Sequence, residues 1–311
     1  MLRVIVLGSS GFDLTVRLPR LPQRGETLLG GQLHTGPGGK GANQAIAARR
    51  AGAEVLFLTA FGDDDFGRRI MEHDRAEGLD LRFARVVADA ANQVALIFVG
   101  DGGENLIGVA PGASEQLTAD DIDRLPGAVF DPSAVFLASL EVPIATVARG
   151  LERARAAGMI TVLNPAPANR ELNDRAILPL VDVLTPNQEE ARELTGLPTD
   201  TPGEAERAAH ALRGQGAGAV IITLGGEGCL VVSDQLTLHV PACRVDVVDT
   251  VGAGDAFNGA LAVALAENRS LPDATSWACA AAALAVTCPG AQGALPRRVD
   301  IDRLAGAARH L

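Results

Sequence analysis

The chain has 311 residues, enough for one large domain or two smaller ones, and 47% of them are hydrophobic, so a large core can form. A formal net charge of −11, one Trp and no Tyr disfavour nucleic-acid binding, which uses basic surfaces and aromatic platforms. No apolar run is long enough for a signal peptide or a membrane span, so we expect a soluble, cytoplasmic protein without nucleic-acid or membrane partners.

The cysteines indicate a reducing compartment. There are four of them, and none are paired at the spacing of a zinc finger. We therefore expect free thiols at Cys229, Cys243, Cys279 and Cys288.

The first third of the sequence predicts one buried strand followed by small exposed elements. Val4 to Leu7 is a short β-branched run that ends at a glycine. Residues 11–35 alternate in short pieces rich in Pro, Gly and Arg, which is typical of a half-exposed antiparallel element. The predicted elements that follow are a helix from Gly39, a strand at 55–62, a helix at 66–78, and a hairpin at 93–109 with its turn at Gly100 to Gly103.

From residue 134 onward, strands and helices alternate regularly, which favours an α/β fold with a mostly parallel sheet. Strands are predicted at 134–138, 160–167, 181–187 and 219–226, a hairpin at 229–240, and helices at 144–158, 188–196, 205–217, 253–267 and 276–286. Ligands of such sheets bind at the carboxyl ends of the strands. Here these ends follow Leu7, Leu163, Thr185 and Leu224. We interpret residues 1–311 as one α/β domain, with approximate segments 12–36 and 91–110 as a lid over this edge.

The strongest local motif is Asp-Thr-Val-Gly-Ala-Gly-Asp at residues 249–255, which opens a helix. Free backbone N–H groups at a helix N-terminus bind anions, and the helix dipole favours a phosphate there. Asp255 lies in the first helical turn, where a carboxylate can act as general base for a hydroxyl attacking a phosphoryl group. Taken alone, the motif is equally a turn followed by an ordinary N-terminal helix acid.

A second motif, Gly-Pro-Gly-Gly-Lys-Gly-Ala-Asn-Gln at residues 36–44, precedes another helix. It is not a Walker A loop, because Lys40 is followed by Gly41 rather than Ser or Thr. Lys40 and Asn43 are polar in an otherwise apolar helix start, and the glycines allow a polyhydroxylated ligand to approach the backbone. The first strand lacks a Gly-x-Gly-x-x-Gly spacing, which argues against a nicotinamide enzyme.

Together, these motifs closely resemble the PfkB sugar-kinase family, and within it the ribokinases, over essentially the whole chain. GGKGANQA and DTVGAGDAFNGAL match the two family signatures, with ALIFV, GEN, LNPAPA, TPNQEEA, LTG and ITLGGEG between them in order. The resemblance implies a ribokinase-like three-layer α/β/α fold with a mostly parallel central sheet and a small β-sheet lid. It also implies an ATP-dependent kinase acting on the 5-hydroxyl of D-ribose, dimeric through its lids.

The resemblance also implies residue roles at the matching positions. The catalytic base is Asp255, with an anion hole formed by the backbone of Gly252, Ala253 and Gly254. Sugar-binding positions are Gly11, Asp13, Gly39, Lys40, Asn43, Glu141 and Asp255. Asn187 and Glu190 organise Mg²⁺ and the phosphates, and Thr223, Gly225, Gly226, Gly228 and Gly254 bind ATP. A potassium site matches Asp249, Val251, Ala285, Cys288, Gly290 and Ala294, the last in place of the usual Ser.

Some of these roles have purely structural alternatives. Glu141 is equally an acid at a helix start, and Asn187 is equally a helix N-cap after Pro186. Gly11 stands where ribokinases usually have Asn, so one sugar hydroxyl loses an amide partner unless Phe12 or a water replaces it. The sequence therefore leaves open a kinase of 2-deoxyribose, another sugar or a nucleoside, and a catalytically inactive sugar-binding regulator.

Overall fold

The computed structural model describes residues 2–102, 104–174 and 176–308. Its strands are β1 Arg3–Leu7, β2 Gly11–Leu18, β3 Gln32–Gly38, β4 Glu54–Leu58, β5 Ala60–Gly62, β6 Arg85–Val87, β7 Gln93–Gly100, β8 Asn105–Ala110, β9 Val135–Ser139, β10 Ile160–Asn164, β11 Val183–Leu184, β12 Ala219–Thr223, β13 Cys229–Val232 and β14 Thr237–Val240. Eight of them form the central sheet, in the order β14-β13-β12-β11-β10-β9-β1-β4.

The helices flank this sheet. They are α1 Lys40–Arg50, α2 Asp65–Ala76, α3 Ala119–Asp123, α4 Ile144–Ala156, α5 Glu171–Asp174, α6 Gln188–Thr195, α7 Pro202–Gly214, α8 Ala253–Ala266, α9 Leu271–Ala285 and α10 Arg298–Ala308. The buried residues of α1, α8, α9 and α10 belong to one core cluster, and those of α4, α6 and α7 belong to another. The predicted α/β/α layering is therefore present.

Strand β1 shows why the sheet is buried on both faces. Successive side chains of a strand point to opposite faces. Accordingly, Val4 and Val6 pack in the core beneath α1 and α8, whereas Ile5 and Leu7 pack in the core beneath α4. Within the central sheet, neighbouring strands pair in parallel along the order β4-β1-β9-β10-β11-β12, and β13 and β14 are antiparallel additions at one edge. The parallel strands therefore end at one common edge.

A separate four-stranded sheet, here called the small sheet, has the order β3-β2-β7-β8. The two predicted antiparallel pairs are β2–β3 and β7–β8. Because β2 and β7 pair in parallel, the small sheet is mixed. Strands β3 and β8 form its edges, and β8 is exposed along its whole length. Of the predicted turn in the 93–109 hairpin, Gly103 lies outside the described residues.

The element boundaries differ from expectation in a few places. The predicted strand at 55–62 divides after Leu58 into β4 and β5, and β5 leaves the central sheet to pair with β6. The strand predicted at 181–187 reduces to Val183 and Leu184, because Asn187 already caps α6. Helix α10 was not expected, since its polar, Gly-containing sequence has weak periodicity.

Candidate active site

The candidate site lies where the carboxyl end of β1 meets the start of α1. The backbones of Gly8 and Gly41 touch here: a Cβ added to Gly41 would lie 2.5 Å from the Gly8 carbonyl carbon. The amide of Ala42 donates to the Ser9 carbonyl at 2.9 Å, which fixes the helix to the strand. Glycine at both positions therefore brings the first turn of α1 against the central sheet.

Asp255 is held by two amides from α1. It lies in the first turn of α8 and is buried. Asn43 Nδ2 donates to Asp255 Oδ2 at 2.9 Å, and Gln44 Nε2 donates to Asp255 Oδ1 at 3.0 Å. The two sequence motifs, more than two hundred residues apart, thus meet at one carboxylate.

A second layer of polar residues supports this carboxylate. Gln44 Nε2 also donates to Asn164 Oδ1 at 2.9 Å, and Asn164 Nδ2 donates to the Thr185 carbonyl at 3.0 Å. Thr185 Oγ1 contacts Asn258 Oδ1 at 2.6 Å, and Asn258 Nδ2 donates to the Gly254 carbonyl at 2.8 Å. None of these side chains was predicted as a site residue, although Asn164 ends β10 and Thr185 directly follows β11 at the predicted edge.

The electrostatics of the site favour a basic carboxylate beside a charged amine. Burial raises the pKa of Asp255, and the positive charge of Lys40 and the two α1 amides only partly oppose this shift. Burial would lower the pKa of Lys40, but the carboxylates of Asp255, Glu141, Glu190 and Asp13 raise it overall. Lys40 is therefore an ammonium ion surrounded by carboxylates.

Asp13 faces the same site from strand β2. Its carboxylate lies against the backbone of Gly38, where any side chain would overlap it. Burial raises the pKa of Asp13 to about 6, with the charges of Glu141 and Asp255 acting in the same direction. Two predicted sugar-binding carboxylates and the candidate base are thus close enough to affect one another.

Glu141 accepts hydrogen bonds from three residues. Ser9 Oγ donates to Glu141 Oε2 at 2.5 Å, the Lys40 amide donates at 2.9 Å, and Gln93 Nε2 donates at 3.4 Å. Glu141 therefore receives the amide at the start of α1 rather than merely opening its own helix. Neither Ser9 nor Gln93 was predicted as a site residue.

Of the two substitutes considered for an amide at Gly11, Phe12 is not placed to serve. Phe12 points away from the site and packs on Phe66 with 4.7 Å between ring centroids, and Arg69 lies over its ring. The neighbour of Gly11 is instead Gln93, whose Cγ would lie 3.2 Å from a Cβ at residue 11. Sequence reasoning missed this contact because Gln93 comes from another strand.

The start of α8 has the geometry expected of an anion site. Gly252 caps the helix in a left-handed conformation, with φ of 79°, and makes no side-chain cap. The first intrahelical bond runs from the Ala256 amide to the Gly252 carbonyl, while the Ala253 amide donates to the Thr250 carbonyl at 3.3 Å. Gly254 is exposed, and a Cβ there would meet open space. A phosphate can therefore approach the Gly254 amide without steric hindrance.

A cavity of about 430 Å³ adjoins this helix start. The predicted nucleotide residues Thr223, Gly225, Gly226, Gly228 and Gly254 all line it. Its remaining walls are largely apolar, and they include the thiols of Cys229 and Cys279, whose sulfurs lie 3.4 Å apart. An apolar cleft that ends at free amides suits a nucleotide, with its base inside and its phosphates at the helix.

Asn187 and Glu190 form a reciprocal cap on α6. Asn187 Oδ1 accepts from the Glu190 amide at 2.8 Å, and Glu190 Oε2 accepts from the Asn187 amide at 2.8 Å. The helix N-cap role that the sequence left open for Asn187 is thus observed. Burial raises the pKa of Glu190, and the charges of both Lys40 and Asp255 act on it, so its carboxylate also faces the site. A hard cation with retained waters suits such a carboxylate.

Asp249 joins two of the segments that carry the predicted cation residues. Asp249 Oδ1 accepts from the Val251 amide at 3.1 Å, and its Oδ2 accepts from the Gly290 amide at 2.9 Å. Ala285 ends α9, Cys288 is exposed, and Ala294 lies in a short turn after these segments. Carboxylate and carbonyl oxygens are the type of ligand that a hard cation binds.

Chemically, the arrangement can transfer a phosphoryl group. A desolvated carboxylate, an ammonium ion and a helix N-terminus lie together beside the apolar cleft. The carboxylate can accept a proton from a hydroxyl, and the amides can stabilise negative charge on phosphate oxygens.

Comparison with known proteins covers nearly the whole chain. A family model described as pfkB family carbohydrate kinase matches residues 1–298. The chain is 37% identical over 295 residues to a ribokinase of Haemophilus influenzae, covering 95% of both. It is also 37% identical over 293 residues to a deoxyribokinase of Salmonella typhi, covering 94% of this chain and 95% of that one. Among solved structures, Arabidopsis thaliana ribokinase complexed with ribose and ATP matches with a TM-score of 0.84 at 30% identity, covering 98% and 99% of the two chains.

Proposed function

Because this chain belongs to the pfkB family of carbohydrate kinases, we propose that it transfers the terminal phosphoryl group of ATP to the 5-hydroxyl of D-ribose. Membership of the family makes it a sugar kinase, and the family predicted from the two signatures is confirmed. The choice of D-ribose is supported by the ribokinases among its relatives. The structural observation that carries the proposal is Asp255, buried between the α1 amides and the start of α8.

Asp255 acts as the general base in this proposal. The hydrogen bonds from Asn43 and Gln44 fix the orientation of its carboxylate, leaving it to receive the proton of the attacking hydroxyl. Its raised pKa makes it a stronger base than a solvated aspartate. Asp13, Glu141 and the α1 residues Lys40 and Asn43 hold the sugar, since carboxylates accept from hydroxyl groups.

Charge on the phosphates is stabilised by the Gly254 amide at the start of α8 and by the positive charge of Lys40, which lies near Asp255. Mg²⁺ would neutralise charge on the phosphates, and Asn187 and Glu190 would hold it. K⁺ would be held by Asp249 and the backbone of Val251, Ala285, Cys288, Gly290 and Ala294.

The small sheet serves as a lid in this proposal. It contributes Asp13 to the sugar site and closes over the bound sugar. Closure excludes water, which would otherwise accept the phosphoryl group. Its exposed apolar residues support a homodimer joined through the lids. No described helix has the length and apolar character that crossing a membrane requires.

A second candidate is phosphorylation of 2-deoxy-D-ribose. Two observations favour it: the chain is as similar to a deoxyribokinase as to a ribokinase, and Gly11 offers no side chain to the sugar. The two functions share the base and the nucleotide site and differ only in how strongly one hydroxyl is recognised.

The test is ADP release with MgATP, offering D-ribose, 2-deoxy-D-ribose, fructose and adenosine in parallel. Each is assayed with potassium and with tetramethylammonium in its place. We expect rapid turnover of D-ribose, and a fall in kcat of about 10²–10⁴-fold for Asp255→Asn because the general base is lost. Binding of D-ribose without ATP, measured by calorimetry, is expected to remain in this variant.

The outcomes separate the candidates. Turnover of 2-deoxy-D-ribose at least equal to that of D-ribose selects the second candidate. Turnover of fructose or adenosine alone rejects pentose phosphorylation but keeps the assigned base. Binding of D-ribose without ADP release in the wild-type protein would identify the inactive sugar-binding regulator instead.

A further inference from the structure

Gly11 and Gln93 face each other across the parallel pair β2–β7. They are partners in the strand register. A Cβ at Gly11 would lie 3.2 Å from Gln93 Cγ and 3.3 Å from Gln93 Nε2. The Gln93 side chain therefore passes directly over Gly11 and fills the volume that a side chain at residue 11 would need.

The end of this side chain is placed among the sugar-binding groups. Gly11 and Asp13 lie on the same face of β2, because alternate residues of a strand share a face. Gln93 Nε2 reaches Glu141 Oε2 at 3.4 Å, a long hydrogen bond. The Gln93 amide thus lies on the face that carries Asp13 and borders the Glu141 carboxylate.

Half of this amide has no partner in the protein. Gln93 is only 3% exposed, yet its Oε1 is buried without a hydrogen bond. Leaving a buried acceptor unpaired is unfavourable, so such an atom beside a binding pocket indicates a group that arrives with the ligand.

The adjacent amide shows the contrast. Asn92, 1% exposed, is fully engaged: its Oδ1 accepts from the Gly62 amide at 3.0 Å, and its Nδ2 donates to the carbonyls of Ser10 and Gln93 at 3.1 and 3.2 Å. Asn92 therefore links neighbouring strands with all of its polar atoms, whereas Gln93 Oε1 has no hydrogen-bond partner.

We propose that Gln93 is a specificity-determining residue of the sugar site, whose amide binds a secondary hydroxyl of the sugar beside Glu141. Glycine at position 11 leaves the room that this side chain occupies. The inference rests on the proposed sugar-kinase function and deepens it by naming how the substrate is selected.

The chemistry of an amide suits this selection. A hydroxyl group both donates and accepts, and so does an amide, whereas a carboxylate only accepts. A hydroxyl between Gln93 and Glu141 can accept from Gln93 Nε2 while it donates to Gln93 Oε1 or to Glu141. A sugar with hydrogen or an inverted hydroxyl at that carbon leaves these buried groups unpaired, so the enzyme discriminates against it.

The experiment compares Gln93→Ala with the matched control Asn92→Ala and with the exposed small-sheet control Gln32→Ala. Values of kcat and KM are measured for D-ribose, 2-deoxy-D-ribose, D-arabinose and D-xylose. For Gln93→Ala we expect KM for the preferred sugar to rise about tenfold with kcat within about twofold, and its preference over the best altered sugar to fall about tenfold.

The controls separate recognition from folding. Asn92→Ala is expected to lower the midpoint of thermal unfolding and to leave the preference among sugars unchanged. Gln32→Ala is expected to change neither quantity. An equal loss of kcat/KM for every sugar in Gln93→Ala, or no loss at all, would overturn the proposal and leave Gln93 as a spacer.

A reciprocal exchange tests the shared volume. Gly11→Asn alone forces Gln93 aside, so kcat/KM for the preferred sugar is expected to fall at least tenfold. Combining it with Gln93→Gly removes the overlap, and we expect the double variant to regain most of that loss. A double variant no better than the single one would contradict competition for this volume.

The role of Gln93 is decided separately from the identity of the sugar. If the wild-type enzyme phosphorylates no pentose, the pentose proposal fails, and the same variants are compared on adenosine against 2′-deoxyadenosine and on fructose against sorbose. If there is no turnover of any of these, calorimetric binding of D-ribose and 2-deoxy-D-ribose to wild type and Gln93→Ala decides it. If wild type and Gln93→Ala bind each sugar equally well, Gln93 does not select the sugar.

Discussion

Asp13 and Asp255 are both carboxyl groups whose pKa burial raises, but they serve the proposed reaction differently. Asp255 has two amide donors and remains oriented for proton transfer. Asp13 lies against Gly38 and acquires its partners from the sugar. The charge state of Asp13 in the free enzyme should therefore control sugar capture, and the charge state of Asp255 should control chemistry.

The pKa of Asp13, raised to about 6, predicts an acidic limb in the pH profile of kcat/KM for the sugar. Above that pH the group is ionised and accepts hydrogen bonds. Below it the group is protonated, so kcat/KM should fall about tenfold per pH unit. The measurement is kcat/KM from pH 4.5 to 8.5 for wild type and Asp13→Asn. The variant should be less active and should lack this limb; if the limb persists unchanged in it, another group titrates there.

At this scale the sequence predicted residues within motifs and missed those that meet across the fold. Asp255 and Asn43 stand in signature motifs, so their types and positions were readable. Gln93 was not, because its position over Gly11 follows from the register between two strands that are far apart in sequence. The same holds for Asn164, which the end of β10 brings to Gln44.

At the scale of elements, the site depends on how closely α1 approaches β1. Helix α1 carries both amides that hold Asp255, and its first turn rests on the backbone of Gly8 and Ser9. Any outward movement of this turn would separate Asn43 and Gln44 from the carboxylate that they orient.

Substitution Gly41→Ala is expected to produce that movement. The added Cβ would lie 2.5–2.6 Å from the backbone of Gly8 and Ser9, which cannot yield as a flexible side chain would. We expect the free energy of unfolding to fall by about 1–3 kcal/mol and kcat/KM to fall with it. Urea denaturation and steady-state kinetics measure the two effects.

Gly214→Ala is the matched control for this change. Gly214 ends α7, and a Cβ there meets open space. Alanine should therefore stabilise the helix by up to about 1 kcal/mol and leave kinetics unchanged. Equal stabilities for the two variants would show that the contact between α1 and β1 tolerates a methyl group.

Element types were largely predictable, because several helices have readable ends. Gly196 ends α6 in a left-handed conformation, and the Asn187–Glu190 spacing forms a reciprocal cap at its start. The split at Leu58 was not readable, since only Thr59 separates the apolar residues of β4 from those of β5, and threonine is common in strands. Only the pairing of β5 with β6 distinguishes the two strands.

At the scale of the whole molecule, the small sheet has exposed apolar residues that the central fold does not cover. Leu33, Leu96, Leu106, Ile107 and Val109 are each at least half exposed, with values from 50% to 64%. Both edge strands have free backbone groups on one side. A second copy of the chain, with the same small sheet, would cover both features.

Sedimentation velocity tests this dimer. We expect the wild-type protein to be dimeric at about 10 μM, and Leu106→Glu to make it monomeric by burying a charge in the interface. Val299→Glu is the control, since Val299 is 61% exposed on α10, away from the small sheet. A monomeric wild-type protein, or a Leu106→Glu variant that remains dimeric, would contradict association through the small sheet.

The three-layer architecture was predictable from the alternation of strands and helices, and the structure confirms it. The order of strands was not predictable from that alternation, because it depends on which neighbours each strand meets after its crossover. The parallel pairing of β2 with β7 is another such case, since hairpin signals describe only local partners.

The position of β1 inside the central sheet has a consequence for biosynthesis. Val4 pairs with Val55 on one side and with Val135 on the other. During synthesis at the ribosome, β1 is made well before β9, so its apolar side chains stay exposed on that side until β9 has emerged. Long-range pairing of this kind slows folding and leaves hydrophobic surface exposed to aggregation in the meantime. The nascent chain is therefore expected to need a chaperone that covers β1 until β9 has been synthesised.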